Sequence, residues 1–409
     1  MLALLQYSQS EKGRRLRQAA TGGIVEYFLS EQQKAIKNLA RRIAEEKILP
    51  VRAELDEKEE FPRSIMKDLA DSDLFRIFVP EEYDGLGGGC FDLCLVVEEL
   101  SRVCSGVAVC YAASALGSFA LRQFGSDEQK KRYLPDIASG KKLTAFALTE
   151  PTAGSDAASL KTTAEKVSGG YVLNGTKQFI TNGGEAEIYT VIALTDKTKG
   201  SRGASTFLVD KGTPGFSIGK KESKMGIRAS ATTELVFHDC LIPETNLVGK
   251  EGTGFIQTLR TLDWSRPGIG AQALGVAQGA LEAAVDYARQ RIQFDHPIIA
   301  LPTVQHMLAD MAIQIEAARA LVYAVARTAD SGAKQFTEES AMAKVFSSDV
   351  AMEVTTKAVQ IFGGAGYMRD YPVEKMMRDA KITQIYEGSN ETLKGLIGGE
   401  VRKRRGQRE

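Results

Sequence analysis

In QIYEGSNET, residues 384–392, a carboxylate stands between an aromatic ring and a glycine: Glu387 is flanked by Tyr386 and Gly388. A loop Glu is ordinarily a solvated surface residue. Shielded from water, the same carboxylate loses hydration, its pKa rises, and it becomes a base near neutral pH. ALTEPTAGSDAAS, residues 147–159, sets the hydroxyls of Thr149 and Ser155 among glycine and small residues. It reads as a loop where backbone approaches a ligand, or as an ordinary Gly/Ser turn. In QIFGGAGYMRDYPVEKMMRD, residues 360–379, Gly363, Gly364 and Gly366 can end a helix and let a cofactor or partner chain press on the backbone. Alone, that segment reads as a helix–helix turn. RQRIQF, residues 289–294, puts Arg291 and Phe294 three apart, on one helix face, to grip a phosphate and a ring or merely to end a helix.

Other chemistries find less support. No GxGxxG follows a strand, so a Rossmann nucleotide site is not supported. His238, His296 and His306 are scattered, and the five cysteines form no CxxC pair. Four of them, Cys90, Cys94, Cys104 and Cys110, crowd one region. They read as reduced, mostly buried thiols of a cytosolic-type compartment rather than a zinc site or disulfide scaffold.

Positioning these groups falls to 409 residues, more than one domain core usually holds, so two or three domains are expected. A hydrophobic share of 43% and a charged share of 25% fit a soluble globular protein. Zero formal net charge offers no basic field for nucleic acid and no acidic field for a polycation. No apolar run approaches the roughly 20 residues that span a bilayer. Residues 1–22 carry three arginines and a lysine against one acidic residue. They read as a disordered extension or, being Arg-containing and acid-poor, as a mitochondrial transit peptide.

The predicted fold is α+β, mainly α, in three domains. Residues 23–142 are helical; in AIKNLARRIAEEKIL the apolar residues recur at three- and four-residue intervals. Residues 143–250 form an antiparallel β domain. YVLNGTKQFIT, EIYTVIALT, STFLVD, FSIGK and ELVFHDCLI are β-branched and aromatic runs between turn residues. Asn174-Gly175 within the first run reads as a hairpin turn. Residues 251–409 return to long Ala-rich helices and suggest a bundle.

ALTEPTAGSD, QFITNGG, RQRIQF and the long run QIFGGAGYMRDYPVEKMMRDAKITQIYEG, in this helix–β–helix order, resemble the acyl-CoA dehydrogenase family of flavoenzymes, closest to its medium- or short-chain branch. The resemblance covers nearly everything from Glu31 to Ile397 and implies a C-terminal four-helix bundle, FAD and a homotetramer. It implies α,β-desaturation of an acyl-CoA: a base takes the α-proton while the β-hydrogen leaves as hydride to flavin N5. Electrons would pass to an electron-transferring flavoprotein. Glu387 matches the base. Phe146, Leu148, Thr149, Phe179 and Thr181 match flavin neighbours, and Ser155 a contact to FAD phosphate or the CoA arm. Arg291, Phe294, Gln360, Gly363 and Gly364 match contacts to a neighbouring subunit's FAD; Ser389 and Glu391 match contacts just after the base. Asp263 and Arg266 match holders of CoA and its pocket. Tyr386 would wall the pocket and Gly388 let the loop approach the thioester. The resemblance also implies that the base's own N–H and a FAD ribityl hydroxyl polarise the thioester oxygen.

In one branch of the family the base comes from the helix around LDWSRP; here that position is Ser265, which cannot serve. On SGVAVCYAASALG, Val109, Ala112, Ala113 and Leu116 share a face that would line the acyl cavity, or an ordinary buried face. With no arginine near Ala108, an apolar acyl group, medium straight-chain or compact branched or cyclic, is expected. Departures stand at Phe179, where tryptophan is frequent, and at Asp295-His296 and Leu301-Pro302. The last lacks a Gln amide that would bond FAD across subunits. Trp264, beside Ser265, narrows a channel or fills a core. Alternative readings are an enoyl-CoA reductase or acyl-CoA oxidase on the same fold, or an acyl-CoA-binding scaffold without activity. A cytoplasmic, bacterial-type location is expected, or a mitochondrial matrix one if residues 1–22 are a transit peptide.

Overall fold

The structure is a computed structural model that describes residues 27–406, with side chains through residue 403. The extension at residues 1–22 lies outside the described residues. The chain opens with α1 (Glu31–Ile43), capped by Ser30, whose Oγ accepts from the Gln33 N–H at 3.1 Å. There follow α2 (Arg52–Lys58), α3 (Arg63–Asp71), α4 (Cys90–Val103), α5 (Ser105–Phe124) and α6 (Asp127–Ala138). α5 packs against α4 and the sheet.

By length and composition α5 could cross a membrane, which corrects the expectation that no apolar run comes near that length. Its apolar window is 72% buried within the fold, so core packing accounts for its character. All five cysteines are buried free thiols.

The middle strands are β1 (Thr144–Ala147), β2 (Thr163–Val167), β3 (Gly170–Thr181), β4 (Ile188–Leu194), β5 (Ala204–Asp210), β6 (Phe216–Lys221), β7 (Thr232–Pro243) and β8 (Leu247–Val248). They run in the order β6-β7-β3-β2-β4-β5-β8, with β1 paired to β4. Most pairings are antiparallel, as the sequence predicts. The parallel ones are β1 along β4 and a single β2–β4 contact, Thr163 with Leu194. β4, buried along its whole length, carries both.

Asn174-Gly175 does not turn the chain, contrary to the sequence reading. The β2–β3 turn is Ser168-Gly169, with Gly169 at φ 81°. The pair lies inside β3, where the register to β7 slips: Leu173 faces Cys240 and Gly175 faces Phe237, so Asn174 stands opposite a bulge of β7 at His238-Asp239, with Asp239 at φ 48°. The Asn174 Oδ1 accepts from the Asp239 N–H at 2.8 Å, and a Cβ on Gly175 would lie 2.6 Å from the Thr162 hydroxyl.

The C-terminal helices are α7 (Gly254–Gln290), α8 (Pro302–Asp330), α9 (Thr337–Phe362), α10 (Pro372–Lys381) and α11 (Asn390–Gly406). α7, α8 and α9 pack on one another, and α11 packs on α9. Alanines of α7 and α9 (Ala273, Ala277, Ala280, Ala284, Ala351, Ala358) close one core at full burial. Small side chains let the helix axes approach and hold long polar groups in fixed registers.

Candidate active site

Glu387 sits in the turn between α10 and α11. The N–H groups of Ile385 and Tyr386 both bond the Ile382 carbonyl, at 2.8 and 3.1 Å. The chain then takes two left-handed steps, Glu387 at φ 53° and Gly388 at φ 97°. For Glu that conformation costs about 1–2 kcal/mol and persists only where the surroundings over-determine it. They do so from two helices. From α7, the Arg266 Nε donates to the Glu387 carbonyl at 3.3 Å. From α9, the Lys344 Nζ donates to the Gly388 carbonyl at 2.8 Å and to the Asn390 Oδ1 at 2.9 Å.

The Glu387 carboxylate, partly screened from solvent, accepts a hydrogen bond from the Ser265 hydroxyl. Desolvation pushes its pKa up to about 7, against the opposing pulls of Ser265, Arg266 and Lys344. Among the described residues no acceptor lies on the Glu387 N–H. The Tyr386 hydroxyl donates to the Gln272 Oε1, and the Gln272 Nε2 donates to the Ser105 hydroxyl at 2.7 Å, tying the base turn to α7 and α5.

Pro267 inside α7 helps this arrangement. It has no N–H for the Asp263 carbonyl four residues back. The Ser340 hydroxyl of α9 takes that carbonyl instead, at 2.7 Å. The Asp263 carboxylate accepts from Arg266 at 3.1 Å and from Thr337 at 2.6 Å. α7 and α9 are thus joined beside the base.

A second cluster lies at the sheet. Lys177 on β3 is fully buried and donates to the Glu150 carboxylate at 2.7 Å and the Leu148 carbonyl at 3.0 Å. Glu150 also accepts from the N–H groups of Lys161 and Thr162, at 2.6 and 3.0 Å. This ion pair fixes both ends of the loop that presents Thr149 and Ser155. Asn182, at φ 63°, donates to the Cys110 carbonyl of α5 at 2.9 Å and the Thr144 carbonyl of β1 at 3.3 Å. It holds β3 against the helix that carries Val109, Ala112, Ala113 and Leu116. Val109 and Ala113 are buried; Ala112 and Leu116 are half-buried.

Three family models match in sequence: the acyl-CoA dehydrogenase N-terminal domain over residues 30–141, the middle domain over 145–240 and the C-terminal domain over 252–401. The chain belongs to the acyl-CoA dehydrogenase family. It is 48% identical to an acryloyl-CoA reductase (NADH) of Anaerotignum propionicum, covering 93% of this chain and 97% of that protein. Butyryl-CoA dehydrogenase from Megasphaera elsdenii matches in structure with a TM-score of 0.90 at 46% identity, over 92% of this chain and 100% of that one. A chain from a structure of the electron transferring flavoprotein of Acidaminococcus fermentans, concerned with flavin-based electron bifurcation, gives 0.90 at 47% identity, over 92% and 99%. This acyl-CoA dehydrogenase homologue is an FAD-dependent oxidoreductase acting on a CH–CH bond of an acyl-CoA.

The residues present fit FAD. The hydroxyls of Thr149, Ser155 and Thr181 have no protein partner among the described residues. Phe179 holds its ring 58% exposed at φ 58°, beside half-buried Phe146, Leu148 and Thr149. A Cβ built on Gly363 or Gly364 meets nothing within 4 Å, so that backbone is open to a ligand.

One chain does not bring all the matched residues together. Arg291 follows the last residue of α7 and so stands roughly 35–40 Å along the helix from Ser265. Arg291 and Phe294 are not on one helix face, correcting the sequence reading: Arg291 caps α7, and a two-strand hairpin, β9 (Ile292–Gln293) with β10 (His296–Pro297), follows. Phe294 and Asp295 make its turn at φ 52° and 65°, and His296 opens β10. Pro302 is the first residue of α8, where a missing N–H breaks no helix bond. Arg291, Phe294, Gln360, Gly363 and Gly364 are all exposed, at the ends of α7 and α9 remote from the base. Ser389 precedes α11 and accepts from the Thr392 N–H at 3.3 Å; Glu391 is exposed. Trp264 packs edge-on against Phe119, with centroids 6.4 Å apart. Ser265, Gln272 and Lys344 are partners of the base turn that sequence reasoning did not assign. For Lys344 a signal existed: it shares the buried stripe of Ala341, Val345 and Ser348.

Proposed function

We propose that this acyl-CoA dehydrogenase homologue desaturates an acyl-CoA thioester to its trans-2-enoyl form, with Glu387 as the base for the α-proton. The observation that carries the reading is the Glu387 carboxylate, held by Ser265 and raised to about 7, where it can take and release a proton. The Glu387 N–H, without an acceptor among the described residues, suits the thioester oxygen as charge develops there. Arg266 and Lys344 hold the carbonyls on either side of that N–H and keep it aimed. FAD, when bound, supplies the acceptor for the β-hydrogen and its electron pair. Phe146, Leu148, Thr149, Phe179 and Thr181 would bind it and Ser155 its phosphate or the CoA arm; Asp263 and Arg266 would hold CoA. Gly388 leaves the turn slim beside the thioester, and Val109 and Ala112 leave room for an apolar acyl chain.

The exposed group at the far ends of α7 and α9 would meet the FAD of a neighbouring subunit in a homotetramer, while Ser389 and Glu391 would contact the cofactor just after the base. An electron-transferring flavoprotein is the proposed acceptor, in keeping with the similarity to the Acidaminococcus chain. We read the domains as 23–142, 143–250 and 251–409, and the compartment as cytoplasmic. Anaerobic titration of the yellow enzyme with acyl-CoAs of graded length tests the reading. Bleaching by butyryl- to octanoyl-CoA is expected; bleaching by none of them, or a strong preference for glutaryl-CoA, would sink it.

A second reading, reduction of an enoyl-CoA, is favoured by the 48% identity to an acryloyl-CoA reductase. There Glu387 as a neutral acid would return the α-proton, and a pKa of about 7 serves either direction. NADH-driven reduction of acryloyl-CoA with the partner flavoprotein present, and no net oxidation of propionyl-CoA, would favour it.

A further inference from the structure

Lys344 is fully buried, yet among the described residues it forms no ion pair. Its ammonium is spent on two neutral oxygens, the Gly388 carbonyl and the Asn390 Oδ1. A buried ammonium without a touching anion is costly. The oxygens it holds are those of the first and third residues after Glu387. Asn390 is itself fixed: its Nδ2 donates to the Ser348 hydroxyl at 2.9 Å and the Asp349 carboxylate at 2.8 Å. The ammonium therefore has a rigid seat on α9 and grips the left-handed turn from its C-terminal side, while Arg266 grips the Glu387 carbonyl from α7.

We infer that Lys344 is a positioning residue for Glu387: it locks the turn that aims the carboxylate and, standing off without touching it, biases that carboxylate toward its charged form. The inference rests on the reading of Glu387 as the base. The charged and titratable groups around the turn are Arg266 and Asp263 from α7, Lys344 and Asp349 from α9, Glu391 from α11, and Tyr386 within the turn. Asp263 is engaged by Arg266 and Thr337, and Asp349 by Asn390 and Lys394. Lys344 is thus a cation beside the base whose charge no direct pairing cancels.

The test is the pH dependence of kcat in FAD-loaded enzyme at saturating acyl-CoA, with an artificial dye as electron acceptor. Activity rises as Glu387 loses its proton. In Lys344→Met the carboxylate loses a favourable neighbour, so the midpoint should move upward by about one pH unit. Neutral-pH kcat should fall about tenfold, with KM and flavin content near wild type. A merely structural lysine would lower the melting temperature and leave the midpoint in place. If Lys344→Met does not fold, Lys344→Gln keeps an N–H donor for the Gly388 carbonyl and carries the same expectation for the midpoint. An unmoved midpoint in whichever variant folds overturns the inference. Glu387→Gln separates the two claims: near-normal turnover in it removes the base reading, whereas an inactive Glu387→Gln beside Lys344 variants with a wild-type profile removes only the role of Lys344.

Discussion

Lys177 and Lys344 are both fully buried, and burial lowers the pKa of each to about 8. The carboxylates they serve diverge. Against desolvation, the touching Lys177 charge and two backbone N–H groups hold Glu150 below the usual range. Glu387, with its lysine held off by neutral oxygens and a single hydroxyl in contact, is raised to about 7. The same two residue types make a fixed strut in one place and a titratable base in the other. The difference lies in whether the ammonium touches the carboxylate and how many N–H groups complete its shell.

That contrast can be broken at several points. The largest effect is expected at Glu387→Gln, which removes the base: acyl-CoA-dependent flavin reduction, followed by stopped-flow absorbance, should slow roughly 10²–10⁴-fold while the protein stays yellow. Next comes Lys177→Met, which strands Glu150 without its partner. Chemical denaturation should show a loss of about 3–5 kcal/mol, with weakened flavin retention because the 147–159 loop loses its anchor. A Lys177→Met protein of wild-type stability would show that the strut is idle. The smallest effect is expected from Ser265→Ala. The lost hydroxyl favoured the charged carboxylate, so the ascending limb of the pH–rate profile should move upward by about one pH unit. A limb that moves down would mean that Ser265 bonds the neutral acid instead.

Much of this was legible in the chain. Helix periodicity gave the helices around the site, and β-branched runs gave β3 to β7. Short β1, β2 and β8 escaped because four residues such as TAFA carry too little pattern. Asn174-Gly175 misled because the pair also suits a strand position opposite a bulge: the Asp239 N–H of the β7 bulge bonds the Asn174 side chain, and Thr162 leaves no room for a Cβ at Gly175. RQRIQF misled because helical spacing continues past a helix end that Arg291 sets. Glu387 was reached through the long motif around it, but its partners were not. Ser265, Gln272 and Lys344 stand 122, 115 and 43 positions away in the chain, and only the packing of α7 on α9 brings them to one turn. A lysine on an apolar helix stripe, or at an inward position of a strand as at Lys177, was the readable trace of both clusters.

The burial of α5 carries a consequence for the making of the protein. Its apolar surface is covered in part by α7, whose first residue, Gly254, emerges 130 positions after Phe124. At ribosomal speeds that is a delay of roughly 7–25 s. During it, a helix apolar enough to pass for a membrane span waits in a nascent chain for its cover. Of the helices that cover it in the fold, α4 is already made by then, and docking onto α4 would shelter part of Ser105–Phe124 before α7 arrives.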